Sequence, residues 1–395
     1  MKLLFLIADG MGGWQGEHPG GKTCLEAAHT PVMDEMARTG TVGVCRTVPE
    51  GMPPGSDVAN MSLLGFNPAK HHTGRGPIEA AAQGLSLDPD DLVWRMNLVN
   101  LTELSPQGTM LDYSSGHITT EVSAPLVDDL QARLGDENFQ FIPGVQYRHL
   151  LVHKGGATED EAALRINPPH DITGKPIYAD MREFSRSARM WDLLFLAAER
   201  LEQTAKHTKA KSIWPWGQGR PLILPKFKDA AGLTGAVISA VDLVRGLGRA
   251  AGMEVVQVPG ATGLIDTNYQ GKVDAALKYL ERGDFAFVHL EGPDECGHAG
   301  NAQEKAEAIA RFDARIVAPL RAALAGQDVA FVITCDHFTP IAEKTHTPDP
   351  VPFVLWREGG EENGLTAFSE AQARSTGLAI ESGHELLAWV RRQLG

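Results

Sequence analysis

Three apolar runs, Leu3-Leu4-Phe5-Leu6-Ile7-Ala8, Phe285-Ala286-Phe287-Val288 and Val329-Ala330-Phe331-Val332-Ile333, each lead into residues able to ligate a metal: Asp9, Asp294 with His298, and Asp336-His337. Short apolar runs of this kind predict buried strands. In an open α/β sheet, ligands bind beyond the carboxyl ends of the strands, so three strand ends can bring chemistry together across hundreds of positions. A metal-dependent catalytic site is the first expectation.

The surrounding sequence alternates strand and helix. Thr30-Pro31 reads as the start of a helix over Val32–Arg38, with Thr30 as its cap. Helical spacing over Val237–Ala251 precedes a short strand at Glu254–Val258, and Lys272–Leu280 reads as a helix leading into the strand at Phe285. Such alternation predicts an α/β fold whose mostly parallel sheet is flanked by helices.

The middle of the chain differs. Asn97–Gly108 reads as loop, Tyr147–His153 as a strand, Pro168–Pro176 as a turn-rich loop, Met190–His207 as a long amphipathic helix and Gly217–Pro225 as another loop. With 395 residues the chain exceeds the usual size of one core. We therefore expect residues 101–229 to form a smaller α+β domain inserted into a catalytic core made of 1–100 and 230–395.

At the candidate site, Asp9-Gly10 ends the first strand, and a turn or helix-cap role competes with ligation there. Asp294 and His298 stand four residues apart, close enough to share an ion on a turn of helix. Asp336-His337 offers adjacent ligands pointing different ways, and His346 lies in the proline-rich Thr345–Pro352 loop. Three carboxylates and three imidazoles suit Mn²⁺ or Zn²⁺ better than Ca²⁺. Ser56, after Pro53-Pro54-Gly55, reads equally as a helix N-cap or as a nucleophile whose phosphorylated form a helix N-terminus would stabilise.

A net charge of −14 argues against nucleic acid or an anionic membrane as partner. No apolar stretch approaches the ~20 residues of a membrane span, and the first run is too short for a signal peptide, so a cytoplasmic location is expected. The four cysteines lack Cys-x-x-Cys pairing, which signals neither a zinc ribbon nor a disulfide framework; Cys296 and Cys335 read as buried filler in a reduced compartment.

Taken in order, Ile7-Ala8-Asp9-Gly10-Met11-Gly12, Pro54-Gly55-Ser56-Asp57, Thr73-Gly74-Arg75-Gly76-Pro77, Gly260-Ala261-Thr262-Gly263, Pro293–His298, Asp336-His337 and Thr345-His346-Thr347 resemble the alkaline phosphatase superfamily. Within it they resemble the archaeal-type cofactor-independent phosphoglycerate mutases, over nearly the whole chain. The resemblance implies two divalent metal ions, Mn²⁺ first and Mg²⁺, Zn²⁺ or Co²⁺ as alternatives. One would be held by Asp294, His298 and His346, the other by Asp9, Ser56, Asp336 and His337. It also implies a phosphoserine intermediate at Ser56, a phosphate contact from Arg75, and a lid in the inserted segment.

The departures lie in the lid. The family's arginine-rich stretch is replaced by Asp112-Tyr113-Ser114-Ser115-Gly116-His117, a second family arginine by Pro215-Trp216-Gly217-Gln218-Gly219, and Asn60 stands where the mutases carry histidine. Arginine is the usual bidentate grip on carboxylate and phosphate, so its loss implies a less anionic acceptor. The pattern matches a bacterial subgroup proposed as alternative homoserine kinases. The expected function is accordingly ATP-dependent phosphorylation of homoserine in threonine biosynthesis, although no P-loop is present. Phosphoglycerate mutase is the alternative, followed by a phosphohydrolase and, in a different class, a non-catalytic metal-binding scaffold. Candidate acceptor contacts are His117, Arg148, His149, His170, Asp171 and Lys175.

Overall fold

The computed structural model describes residues 1–395, which divide into two compact units, Met1–His72 with Ile223–Gly395, and Thr73–Leu222. The first unit is built on an eight-stranded sheet. At its centre the strand Lys2–Ala8 lies between Phe285–Leu290 and Val329–Thr334, parallel to both. Every residue of its two neighbouring strands is buried, which explains why these runs are apolar throughout and do not alternate. Ile7 pairs with His289 on one side and Thr334 on the other, so the three strands end level. That register carries Asp9, Asp294 and Asp336 to one edge of the sheet.

The parallel part continues through Gly235–Ile238 to Glu254–Val256, whereas Val351–Arg357 and Thr41–Cys45 join antiparallel on the other side. Helices pack along the strands, Tyr269–Leu280 against Phe285–Leu290 and Pro31–Thr39 against Val351–Arg357. The expected α/β class and mostly parallel sheet are what the chain adopts. Local readings shift: Val237–Ala251 is not one helix but a strand, Gly235–Ile238, then a helix, Asp242–Ala250, because the apolar side chains at 236–238 fill the sheet. Thr30 precedes its helix without capping it; its hydroxyl donates to Asp34 Oδ1.

The second unit carries a five-stranded sheet around Leu92–Leu101, which pairs antiparallel with Arg148–His153 and with Ser212–Gly219. Residues 97–101 are therefore strand and not the start of the loop expected over Asn97–Gly108. For the same reason this unit begins at Thr73 and not at 101, and ends at Leu222 instead of 229. The helix Arg75–Gln83 lies on Leu92–Leu101, with Ala80 packed against Val93, Leu150 and Val152. On the opposite side Trp94, Met96, Leu98 and Trp214 form the main core with residues of the helices Thr120–Leu134 and Ala188–Thr204.

No helix is long and apolar enough to cross a membrane. All four cysteines are free and buried, and burial pushes the Cys296 thiol up to about 12.

Behind the candidate site, buried polar groups fix the turn after the first strand. Glu370 accepts from Gly13 N at 3.1 Å and from Thr23 Oγ1 at 2.9 Å, while Lys305 Nζ donates to Gly12 O and Thr339 O at 2.9 and 2.8 Å. Burial pushes the Glu370 carboxyl up from 4.5 to about 7. The folded state thus holds this proton more tightly than the unfolded chain. Its contribution is complete below about pH 4.5 and is lost as pH rises through 7, on the order of 3 kcal/mol. Thermal melting of Glu370→Gln should show a flatter decline between pH 5 and pH 8 than the parent protein. Parallel melting curves would exclude this assignment.

Candidate active site

Asp9 follows its strand through a turn that needs glycine next. Gly10 has φ +62°, and a Cβ there would lie 2.6 Å from Asp294 Oδ1. Its N–H donates to Asp336 Oδ1 at 3.1 Å, so the turn joins two of the strand ends directly. Asp294 and His298 sit in the short helix Gly292–His298, on the same face as their spacing required, with His298 Nε2 3.1 Å from Asp294 Oδ2.

His346 completes this side, its Nε2 being 3.0 Å from His298 Nε2 and 3.5 Å from Asp294 Oδ1. His337 lies between the two sides. Its Nε2 is 3.5 Å from Asp9 Oδ1 and 3.4 Å from Asp336 Oδ2, and its ring centroid is 4.0 Å from that of His346.

Ser56 Oγ is 3.1 Å from His337 Nε2. Ser56 is the first residue of the helix Ser56–Leu63, and Gly55, not Ser56, occupies the cap position, so the serine hydroxyl is not spent on capping. Asn60, one turn later, donates to Ser56 O at 2.9 Å and to Asp336 Oδ2 at 2.8 Å. The sequence marked Asn60 only as a departure from the family; its amide ties the nucleophile's helix to a carboxylate of the site.

All seven ligand and nucleophile positions expected from the motifs therefore meet. Their grouping differs in two respects: His337 joins Asp294 and His346, with donor atoms within 4.8 Å of one another, and His289 joins Asp9 and Asp336 in the same way. His289 lies one residue beyond the apolar run Phe285–Val288, so that run alone does not reveal it. An imidazole inside an otherwise apolar parallel strand was the available signal.

Three carboxylates are buried here with few compensating groups. Burial, together with Asp336, Asp294 and Glu291, raises Asp9 well above the usual carboxylate range, and Asp9 Oδ1 has no hydrogen-bond partner. Burial would also raise Asp294, but hydrogen bonds with His298 and His346 hold it well below that range. Burial lowers His337 to about 4. An unpartnered carboxylate oxygen beside neutral imidazoles is the environment a divalent cation satisfies, and mixed O/N donors suit Mn²⁺ or Zn²⁺.

The second unit assembles a different cluster. The Arg95 side chain is 5% exposed, donates to Glu79 Oε1 at 2.6 Å, and lies 5.0 Å over the Trp216 ring, with its Nε unpartnered. Arg75 stands 5.9 Å over the same ring, 3.4 Å from Glu79. Burial lowers Arg95 to about 10, Glu79 opposing and Arg75 and Arg148 adding to the shift. Arg148 donates to Tyr147 Oη at 3.0 Å. His117 and His170 pack edge-on against Tyr113, and His170 also against Trp216.

Of the expected acceptor contacts, His117, Arg148 and His170 thus share one cluster with Arg75, together with Arg95, Tyr113, Tyr147 and Trp216, which were not foreseen. His149 is instead a core residue, accepting from Gly144 N at 3.0 Å and pushed down to about 3 by burial and Arg95. Lys175 is spent within its loop, donating to Asp171 O at 2.8 Å.

A family model described as 2,3-bisphosphoglycerate-independent phosphoglycerate mutase matches residues 37–208. A Geobacter sulfurreducens protein named "Probable 2,3-bisphosphoglycerate-independent phosphoglycerate mutase" is 45% identical over 98% of both chains. The 2,3-bisphosphoglycerate-independent phosphoglycerate mutase of Methanosarcina barkeri is 43% identical over 98% of both. Among solved structures, the PH0037 protein of Pyrococcus horikoshii superposes with a TM-score of 0.81 at 28% identity, covering 100% of this chain and 97% of the other.

These relatives overturn the expected homoserine kinase, and with it the ATP co-substrate and the place in threonine biosynthesis. The physical reason is visible in the second unit. Arg75 and Arg95 lie over the Trp216 ring and Arg148 over the Tyr147 ring, so the unit is not arginine-poor although the two stretches are. The chain belongs to the 2,3-bisphosphoglycerate-independent phosphoglycerate mutase family.

Proposed function

We propose that this enzyme interconverts 3-phosphoglycerate and 2-phosphoglycerate through a phosphoserine at Ser56, with two divalent cations, Mn²⁺ foremost, and no nucleotide. The observation that carries the reading is the placement of Ser56 Oγ, 3.1 Å from His337 Nε2, at a helix start among buried carboxylates and imidazoles. The names of the relatives supply the substrate class.

Asp294, His298 and His346, with His337 beside them, would hold one cation; Asp9 and Asp336, with Ser56 and His337, the other. Bound there, the cations would neutralise phosphoryl charge and favour the serine alkoxide. The chain's own groups do the rest. The Ser56 Oγ–P bond forms as the bond from phosphorus to O3 of phosphoglycerate breaks, and the serine proton ends on O3. The helix N-terminus favours the phosphoserine dianion. In the return step O2 attacks the same phosphorus as the Ser56 Oγ–P bond breaks, and the O2 proton ends on Ser56 Oγ.

Between these steps the glycerate must be held while it turns. For this we assign Arg95, Arg75 and Arg148, three guanidiniums against the single carboxylate of Glu79, with His117 and His170 alongside. On this reading Thr73–Leu222 is the acceptor-recognition domain.

³¹P NMR of 3-phosphoglycerate incubated with protein and Mn²⁺ should show 2-phosphoglycerate appearing with neither nucleotide nor 2,3-bisphosphoglycerate added. Release of inorganic phosphate alone, or no turnover with Mn²⁺, Co²⁺, Mg²⁺ or Zn²⁺, would defeat the proposal.

A further inference from the structure

His289 is fully buried on the strand Phe285–Leu290, and both of its ring nitrogens are engaged. Nε2 lies 2.9 Å from Asp9 Oδ2, and Nδ1 lies 3.2 Å from Ser239 Oγ. Ser239 is itself buried, and its oxygen accepts from Val241 N at 3.0 Å. The serine proton is then available for Nδ1, which makes Nε2 the protonated nitrogen and hence a donor to Asp9.

With Asp9 ionised, as a ligand to a cation must be, the opposite tautomer would turn a lone pair toward the carboxylate and leave the Ser239 proton without an acceptor in a buried place. Lys272 Nζ donates to His289 O at 2.8 Å and so fixes the strand end that presents the ring. With Oδ2 taken by His289, the Asp9 oxygen left over is Oδ1, which is buried, has no hydrogen-bond partner and is 3.5 Å from His337 Nε2.

We propose that His289, held as its Nε2–H tautomer by Ser239, is a positioning residue that turns Asp9 so that Oδ1 alone is offered to the cation; this rests on the metal reading above. A carboxylate with one oxygen tied back ligates through the other, and its orientation no longer costs side-chain freedom when the ion binds. The role differs from direct ligation by His289, which the convergence of Asp9, Asp336 and His289 donor atoms would otherwise suggest.

The test is titration of the full chain with Mn²⁺ in the absence of substrate, by calorimetry, with bound metal counted by mass spectrometry. His289→Ala should weaken one site about 10–100-fold while two ions per chain still bind at saturation. His289→Gln, whose amide N–H can reach Oδ2, should recover affinity to within a few-fold of the parent, and Ser239→Ala should show a smaller loss than His289→Ala.

Parent affinity in His289→Ala would overturn the proposal. So would a loss in His289→Gln as deep as in His289→Ala with saturation at one ion, the signature of a direct ligand. Melting in chelator checks the fold of each variant; should His289→Ala not fold, parent affinity in Ser239→Ala overturns the proposal and weakened affinity supports it. Because no substrate is present, failure of the mutase assay leaves these titrations standing, and the two readings fail separately.

Discussion

Replacing Ser56 by alanine should reduce conversion of 3-phosphoglycerate to 2-phosphoglycerate by at least about 10³-fold, because no other hydroxyl is proposed to carry the phosphoryl group. The fold should survive. Ser56 opens its helix without capping it, and the contacts that fix that helix to the site run through Asn60, whose amide bonds Ser56 O, a backbone atom the substitution keeps. Melting temperature in chelator should therefore stay within about 2 °C of the parent, as for a substitution costing below ~1 kcal/mol. The measurement is a direct ³¹P assay, with mass spectrometry of the parent enzyme after acid quench to find one added phosphate on the peptide containing Ser56. Parent-like turnover in the alanine variant, or phosphate on another residue, would remove the covalent role.

The parts of this site that could be read in sequence are those where local pattern and chemistry coincide. Asp9, Asp294 and Asp336 end apolar runs, and a parallel sheet makes such ends converge without further information. What stayed hidden depends on pairing across the sheet. Whether His289 is a ligand, a support or a filler is decided by Asp9 and Ser239, just past the ends of the two strands that flank its own, which no local window contains.

Arg95 was hidden for a related reason. Arg and Asn within Leu92–Leu101 break an apolar run, yet both are buried, because Glu79 and Trp216 arrive from other elements to satisfy them. The same strand misplaced the boundary between units, since only its pairing with Arg148–His153 and Ser212–Gly219 assigns it to the second. The substrate inference failed at this point too. Counting arginines in two stretches cannot reveal that Arg75 and Arg95 share a tryptophan face.

The second large effect concerns Asp9, where function and stability should pull in opposite directions. Asp9, Asp294 and Asp336 are buried together, and desolvation and mutual repulsion make Asp9 costly to ionise. Asn at this position removes that charge while its carbonyl can still accept from His289. In chelator, Asp9→Asn should therefore melt above the parent, by a stabilisation of about 1–2 kcal/mol. The sign of the pH dependence follows from the raised pKa: the folded parent binds the Asp9 proton more tightly than the unfolded chain, so its stability falls as pH rises. The advantage of Asn should widen accordingly. With Mn²⁺ at about 100 times its dissociation constant the order should reverse, because the parent gains about 2.7 kcal/mol per site and the variant loses the ligand that secures one of them. Mutase activity should drop by at least about 10²-fold in the same variant. Melting curves in chelator and in Mn²⁺ are sufficient to decide: an Asp9→Asn protein less stable than the parent in both media would mean that Asp9 serves the fold and not a cation.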